Sequence, residues 1–197
     1  MIKRIFDFIL ALLGIIVLSP ILLLIALSIK ATSKGPILFI QKRVGQFGNN
    51  LKVFKFRTMI VDAELKGLKI TVGKDPRITS VGYKLRKYKL DELPQLFNVL
   101  FGTMSLVGPR PEVREYIDLY PEDIKLKVLS IKPGITDLAS IEFKDENEML
   151  SLSDNPQSTY INEILPIKQN YYIKYVEDKS IFLDIKIIFL TLKAIIN

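Results

Sequence analysis

The chain is 197 residues long and contains neither cysteine nor histidine. Those absences exclude disulfides, Cys/His zinc sites, thiol nucleophiles and Ser-His-Asp triads, so any chemistry rests on Asp, Glu, Lys, Arg, Ser, Thr or Tyr, with or without a divalent metal. A hydrophobic fraction of 49% beside 25% charged residues points to a membrane segment joined to a charged globular part.

The apolar excess lies at the front, where 22 consecutive uncharged residues run from Phe8 to Ile29. As a straight helix they reach ~33 Å, enough for a hydrocarbon core of ~30 Å. The run is too long for a cleavable signal peptide and has no small-x-small site at its end. Pro20, near its middle, removes one backbone donor and clashes with the Ile16 carbonyl, which predicts a kink; Ser19 offers a hydroxyl for freed backbone groups. Lys3 and Arg4 precede the run, while Lys30, Lys34, Lys42 and Arg43 follow it. The positive-inside rule is therefore content with both ends on one face. Two arrangements satisfy these features: a broken helix that enters and returns on one side, and a spanning helix that tolerates its proline.

The net charge of +7 is uneven, with +8 in residues 31–120 and −3 in residues 121–197. Such a field suits an anionic membrane surface or a phosphorylated substrate. No nucleic-acid-binding module is visible, and nucleic acid is not expected as a partner.

Pro36 to Val44 and Leu51 to Met59 read as two strands joined by the turn-rich segment 45–50. Val53, Lys55 and Arg57 share one face of the second strand, and Phe54, Phe56 and Thr58 share the other. The alternation favours a solvated basic face over a Phe-lined inner one; the other reading is a pair of cations aimed at one anion. Gly67, Gly73 and Asp75-Pro76 mark loops. Thr79 or Ser80 can cap a helix from about Val81 to Leu90. Pro94 is acceptable only in a first turn, so a new helix is expected near Asp91, placing Asp91 and Glu92 at its N-terminus, where the dipole stabilises negative charge. An ordinary Asp cap with a first-turn Glu has the same signature. Further on, Pro109 and Pro111 fix the backbone around Arg110, and a rigidly presented Arg suits bidentate recognition of phosphate or carboxylate.

Taken in order, these segments resemble the bacterial sugar transferase family, the small monotopic phosphoglycosyl transferases that act on polyprenyl phosphate. The residues that carry the likeness are Lys3-Arg4-Ile5-Phe6-Asp7, Ser19-Pro20, Phe54-Lys55-Phe56-Arg57-Thr58-Met59, Leu90 to Asn98, and Met104 to Pro111. Lys132-Pro133-Gly134-Ile135-Thr136 and Leu183-Asp184-Ile185-Lys186 extend it over essentially the whole chain.

The resemblance implies a re-entrant membrane helix over residues 1–30, broken at Ser19-Pro20, and a catalytic domain over residues 31–197 on the cytoplasmic face of the inner membrane. It implies transfer of a sugar 1-phosphate from a UDP-sugar to undecaprenyl phosphate, with release of UMP, as the first membrane step of surface glycan synthesis. Asp91 falls on the family's covalent nucleophile, Glu92 completes the dyad, and Mg²⁺ binds nearby. Glu92 either ligates that metal with Asp91 or handles a proton. Arg86 takes the place of a phosphate-binding arginine, and Arg110 within Pro109-Arg110-Pro111 holds the nucleotide end. Lys55 and Arg57 join the phosphate cradle.

The likeness thins after residue 136. Many relatives continue Gly-Trp-Ala-Gln-Val, whereas this chain reads Asp137-Leu138-Ala139-Ser140-Ile141. The acidic run 145–148 reads as a solvated loop. Ser180 to Ile196 is apolar on most of its circumference and suits either the membrane surface or the core. Tyr171, Tyr172 and Tyr175 suit either an interface or a core cover. The expected fold is α+β and helix-rich: the membrane helix, a small antiparallel hairpin and several amphipathic membrane-surface helices. A non-catalytic scaffold of glycan assembly and a glycosyltransferase that releases UDP are the rival functions. Membrane lipids are expected partners, and homo-oligomerisation stays open.

Overall fold

The computed structural model describes residues 1–63, 73 and 75–196; the loop glycine Gly67 lies outside the described residues. Helix α1, Ile2–Thr32, continues through Pro20. The Ser19 hydroxyl donates to the Ile16 carbonyl at 2.8 Å, the acceptor that proline leaves without its N–H partner. Ser28 and Thr32 likewise donate to the Leu24 and Ser28 carbonyls, at 2.8 and 2.7 Å. The break expected at Ser19-Pro20 is thus one substituted hydrogen bond within a continuous helix. Asp7, Ala11, Ile25 and Ile29 face the protein, whereas Ile16, Val17, Leu23, Leu24 and Leu27 lie exposed between and around them.

Strands β1, Leu38–Val44, and β2, Asn50–Phe56, form the expected antiparallel hairpin, with Leu38 opposite Phe56 and Arg43 opposite Leu51. Thr79 caps α2, Ser80–Lys87, through the Gly82 amide at 3.0 Å. A Cβ on Gly82 would stand 2.0 Å from the Thr58 carbonyl oxygen, so only glycine lets α2 press on the end of the hairpin. Lys89 then adopts a left-handed conformation, φ 53°, and turns the chain into a 3₁₀ turn, Leu90–Glu92. Helix α3 is Gln95–Leu100. The acidic pair therefore precedes the helix it was expected to begin.

Strand β3, Ser105–Val107, leads through the Pro-Arg-Pro segment to α4, Arg114–Ile117, and α5, Glu122–Leu129. Strand β4, Gly134–Thr136, pairs in parallel with β3, a pairing the sequence pattern does not reveal. Next come α6, Leu138–Glu142, α7, Glu146–Ser151, and α8, Pro156–Thr159. A π-helical turn, Tyr160–Ile164, joins α8 to α9, Leu165–Asp178, and α10, Ile181–Ile196, follows. The fold is α+β and helix-rich.

Two sequence expectations change here. The acidic run 145–148 is solvated at Asp145, Asn147 and Glu148, as expected, but it starts a helix and is not a loop, and Glu146 pairs with the buried Lys168. Asp137, where the family likeness thins, caps α6 through the Ser140 amide at 2.9 Å. Helix α10 combines both readings offered for it. Ile187 and Asp184 are fully buried, while Phe182, Ile185, Phe189 and Leu192 form an exposed apolar stripe. Tyr172 and Tyr175 are core residues.

Polar contacts lock the long helices to the domain. Lys3 Nζ lies 3.2 Å from Asp7 Oδ1 and 2.8 Å from Asp184 Oδ2. The Ser105 hydroxyl donates to Asp7 at 2.8 Å, and the Tyr175 hydroxyl donates to Asp184 at 2.7 Å. Arg4 donates to the Val99 and Leu100 carbonyls at 2.5 and 2.9 Å and closes the C-terminus of α3. Apolar contacts follow the same plan: Ala11 packs with Val53, Val99 and Met104, and Ile25 and Ile29 pack with Phe56 and Leu85.

The β3–β4 pair depends on close backbone approach, since a Cβ on Gly134 would stand 2.1 Å from the Gly108 nitrogen. Gly134→Ala is expected to destabilise the protein by about 3 kcal/mol or more. Gly48→Ala, at φ +77° with open space around it, is expected to lose only about 1–2 kcal/mol. Chemical denaturation of the detergent-solubilised variants measures both, and equal losses would contradict the close-approach argument.

Candidate active site

Strand β2 supplies the floor of the site, and its basic face points inward. Arg57 is 6% exposed, and the Lys55 side chain 17%. The solvated basic face that the alternation favoured is therefore overturned: both cations have partners from distant parts of the chain. Lys55 Nζ donates to Glu92 Oε1 at 3.1 Å. Arg57 turns the other way. It donates to the Ser33 carbonyl at 3.0 Å, to the Ser33 hydroxyl at 2.8 Å and to the Lys34 carbonyl, and so closes the C-terminal end of α1. The two cations do not share an anion.

Asn98 of α3 explains how the dyad turn is set against this strand. Its side-chain oxygen accepts from the Phe54 amide at 2.9 Å, and its amide donates to the Lys52 carbonyl at 2.7 Å. One side chain thus mimics a neighbouring strand and fixes α3 to the free edge of β2.

The β3–β4 pair delivers Arg110. The Gly108 amide donates to the Thr136 carbonyl at 3.1 Å, and the Gly134 amide donates to the Pro109 carbonyl at 3.0 Å. With Pro109 and Pro111 fixing φ on both sides, the guanidinium grips Glu92 with both nitrogens, at 2.5 and 3.2 Å. Burial alone would raise the Glu92 pKa, but Arg110 and then Lys55 hold it well below the usual carboxylate range.

Asp91 has the opposite setting. It is 8% exposed, and among the described residues its carboxylate accepts no hydrogen bond. Burial and the Glu92 charge raise its pKa above the ordinary value, opposed by Lys55, Arg86 and Lys89. The expectation that a helix terminus keeps Asp91 ionised fails because α3 begins only at Gln95. Arg86 stands beside Asp91 through its charge and donates to the Thr58 hydroxyl at 2.9 Å; burial lowers its pKa against the attraction of Asp91 and Asp75.

A cleft opens between the hairpin and the Pro-Arg-Pro loop, lined by Gln41, Arg43, Val53, Lys55, Gln95, Arg110 and Pro111. Arg43 and its partner Glu112 were not singled out as site residues from the sequence. The signal was present: with Gln41 opposite Val53 and Arg43 opposite Leu51, the hairpin register puts both on the face of Lys55.

Among the described residues no three or more Asp and Glu side chains gather as a metal cage. Mg²⁺ does not need one, since it is commonly held by one or two carboxylates with substrate phosphates and water. Asp91 fits that role. Glu92, whose two oxygens are engaged by Arg110 and Lys55, is placed as an ion-pair partner.

The opposite settings of the dyad have measurable signs. A raised Asp91 pKa means that its contribution to stability is present in acid and lost as pH rises through the folded-state value. At neutral pH in metal-free buffer Asp91→Asn is therefore expected to raise the melting temperature, and the gain should vanish on acidification below the ordinary Asp range. Glu92→Gln should lower stability by about 3 kcal/mol at neutral pH, because it strands two cations. Thermal melts over pH measure both, and a gain for Asp91→Asn that grows in acid would contradict the assignment.

Residues 1–197, the whole chain, match the family described as Bacterial sugar transferase. The chain is 44% identical over 99% of its length to a UDP-glucose:undecaprenyl-phosphate glucose-1-phosphate transferase of Klebsiella pneumoniae. It is 36% identical over 100% of its length to a UDP-N-acetylgalactosamine-undecaprenyl-phosphate N-acetylgalactosaminephosphotransferase of Aeromonas hydrophila. The chain spans 40% and 44% of those two proteins. An exopolysaccharide production protein PSS of Rhizobium leguminosarum bv. phaseoli is 40% identical over 95% of the chain, which covers 91% of that protein. With its dyad, its Pro-Arg-Pro loop and its apolar helix in one fold, the chain belongs to the bacterial sugar transferase family.

Proposed function

We propose that the protein transfers a sugar 1-phosphate from a UDP-sugar to undecaprenyl phosphate, releasing UMP, at the cytoplasmic face of the cell membrane. The observation that carries the reading is the asymmetry of the dyad: Asp91, a carboxylate that accepts no hydrogen bond among the described residues, beside one saturated by Arg110 and Lys55. The relatives named for this chemistry accept different sugars, so the sugar here is left to experiment.

In the first step an oxygen of ionised Asp91 attacks the phosphorus that bears the sugar. The bond from that phosphorus to the bridging oxygen breaks, and UMP leaves with the oxygen and the electron pair. Lys55 and Arg110 offset charge on the diphosphate, and Arg86 flanks Asp91 on its other side. In the second step an oxygen of undecaprenyl phosphate attacks the same phosphorus, and the Asp91 carboxylate departs unchanged. Mg²⁺, held by Asp91 with the substrate phosphates, would offset repulsion between the carboxylate and the incoming diphosphate. Glu92 acts by fixing Arg110 and Lys55.

The membrane reading completes this function. Both ends of α1 pack on the same domain, through Ala11 and through Ile25 and Ile29, while Ile16, Val17, Leu23 and Leu24 point away. That arrangement favours a helix that dips into one leaflet and keeps both ends on the cytoplasmic side. The exposed stripe Phe182, Ile185, Phe189 and Leu192 on α10 suits the surface of the same leaflet.

Purified protein with undecaprenyl phosphate, Mg²⁺ and a panel of UDP-sugars is expected to release UMP for at least one sugar. UDP as the nucleotide product, or no nucleotide release, would refute the reading. Asp91→Asn is expected to lose at least about 10³-fold in turnover, with loss of the radiolabelled sugar-phosphate adduct trapped by rapid quench.

A further inference from the structure

The rigid Pro-Arg-Pro loop holds a second acid–base pair that the mechanism above does not use. Arg110 points to Glu92, and two residues later Glu112, 4% exposed, points to the hairpin. One Glu112 oxygen lies 3.5 Å from an Arg43 nitrogen, and the other accepts the Tyr160 hydroxyl at 2.9 Å. The Val44 amide also donates to the Glu112 carbonyl at 2.9 Å, so β1 and the loop are tied at this point. Tyr160 opens the π-helical turn Tyr160–Ile164, and its ring packs on Tyr116 at 4.8 Å. Such turns rotate side chains out of α-helical phase and occur often at functional sites.

Arg43 itself lines the cleft with Lys55 and Arg110, and its side chain is 19% exposed. Among the described residues Glu112 is its only hydrogen-bonding partner, so a five-donor guanidinium keeps donors for a ligand. Three cations, Arg43, Lys55 and Arg110, line this one small cleft, against the carboxylates of Glu92 and Glu112. Position tells which phosphate compound it suits. Val44, the neighbour of Arg43, packs with Tyr116, Ile117, Val128 and Tyr172, a core cluster to which α1 contributes no residue. Arg86, by contrast, binds Thr58, adjacent to the residue that closes the end of α1. Arg43 and Arg110 line the same cleft, so the phosphate compound that suits Arg43 is the one the reading above gives to Arg110, the nucleotide sugar.

We propose that Arg43 is a further substrate-binding residue, contacting the diphosphate of the nucleotide sugar, and that Glu112 and Tyr160 are positioning residues that hold its guanidinium in the cleft. The proposal rests on the transferase reading above. It extends the cradle from Lys55 and Arg110 to a third cation supplied by the first strand.

Steady-state kinetics of the full chain, with both substrates varied, test it. Arg43→Ala is expected to raise the KM for the UDP-sugar roughly 10–100-fold, the loss of a charge-assisted contact, with a much smaller change in kcat and in the KM for undecaprenyl phosphate. Glu112→Gln and Tyr160→Phe are expected to raise the same KM about 3–10-fold; Tyr160→Phe carries the test if Glu112→Gln fails to fold. In an Arg43→Ala background, Tyr160→Phe should have no further effect on that KM, because it acts through Arg43. An unchanged UDP-sugar KM in Arg43→Ala, a rise confined to the lipid KM, or multiplying effects in the double variant would each overturn the proposal. Wild-type protein that turns over no UDP-sugar refutes the transferase reading instead, so the two failures are distinguishable.

Discussion

Glu92, gripped by Arg110 and Lys55, is the contact around which the site is assembled. It joins three pieces of chain: strand β2, the 3₁₀ turn before α3, and the loop after β3. In a poorly hydrated cleft such a contact is strong only when the geometry is fixed beforehand, because each charge has lost its water. The surrounding structure supplies that fixing. Prolines hold Arg110, Asn98 holds the turn against the strand, and Gly134 allows the backbone approach that seats the loop. The neighbouring carboxylate then takes the remaining electrostatic role. With Arg110 and Lys55 paired to Glu92, burial and the Glu92 charge raise the Asp91 pKa above the ordinary value. Adjacent residues are thereby pushed in opposite directions, the arrangement by which enzymes divide roles between two like groups.

The site is also polarised along its length. At one end, Arg57 closes α1 and Arg86 lies beside it through Thr58. At the other, Arg43 pairs with Glu112, whose second oxygen accepts from Tyr160 of the aromatic core. The reaction proposed above, between a lipid-anchored phosphate and a dissolved nucleotide sugar, would use two such ends, since its substrates arrive from different phases.

Much of this was legible in the sequence because it is local. The hairpin follows from alternation and a turn-rich linker, α2 from its Thr79 cap, and the rigidity of Arg110 from its flanking prolines. What periodicity cannot reveal is which polar residues find partners far along the chain. Lys55 and Arg57 looked like a solvated stripe because the pattern of β2 shows two faces and not what covers them. Glu92, on a later turn, and Ser33 and Lys34, at the end of α1, turn that stripe inward. Within the acidic run 145–148 the pairing of Glu146 was missed for the same reason, since Lys168 lies two helices away. The start of α3 was missed by a few residues, because a left-handed Lys89 has no compositional signature of the kind that glycine supplies.

The contact of Lys3 with both Asp7 and Asp184 has a consequence for the order of assembly. Its members lie on α1 and α10, at opposite ends of the fold in sequence. During synthesis α1 is made well before α10. At ~5–20 residues per second, Asp184 follows only after roughly ten seconds or more. Throughout that interval Lys3 has only Asp7 of its two partners, while Ser105, made earlier than Asp184, can already donate to Asp7. The clamp closes only once α10 is made, so the contact that ties α1 to α10 is among the last of the fold to form.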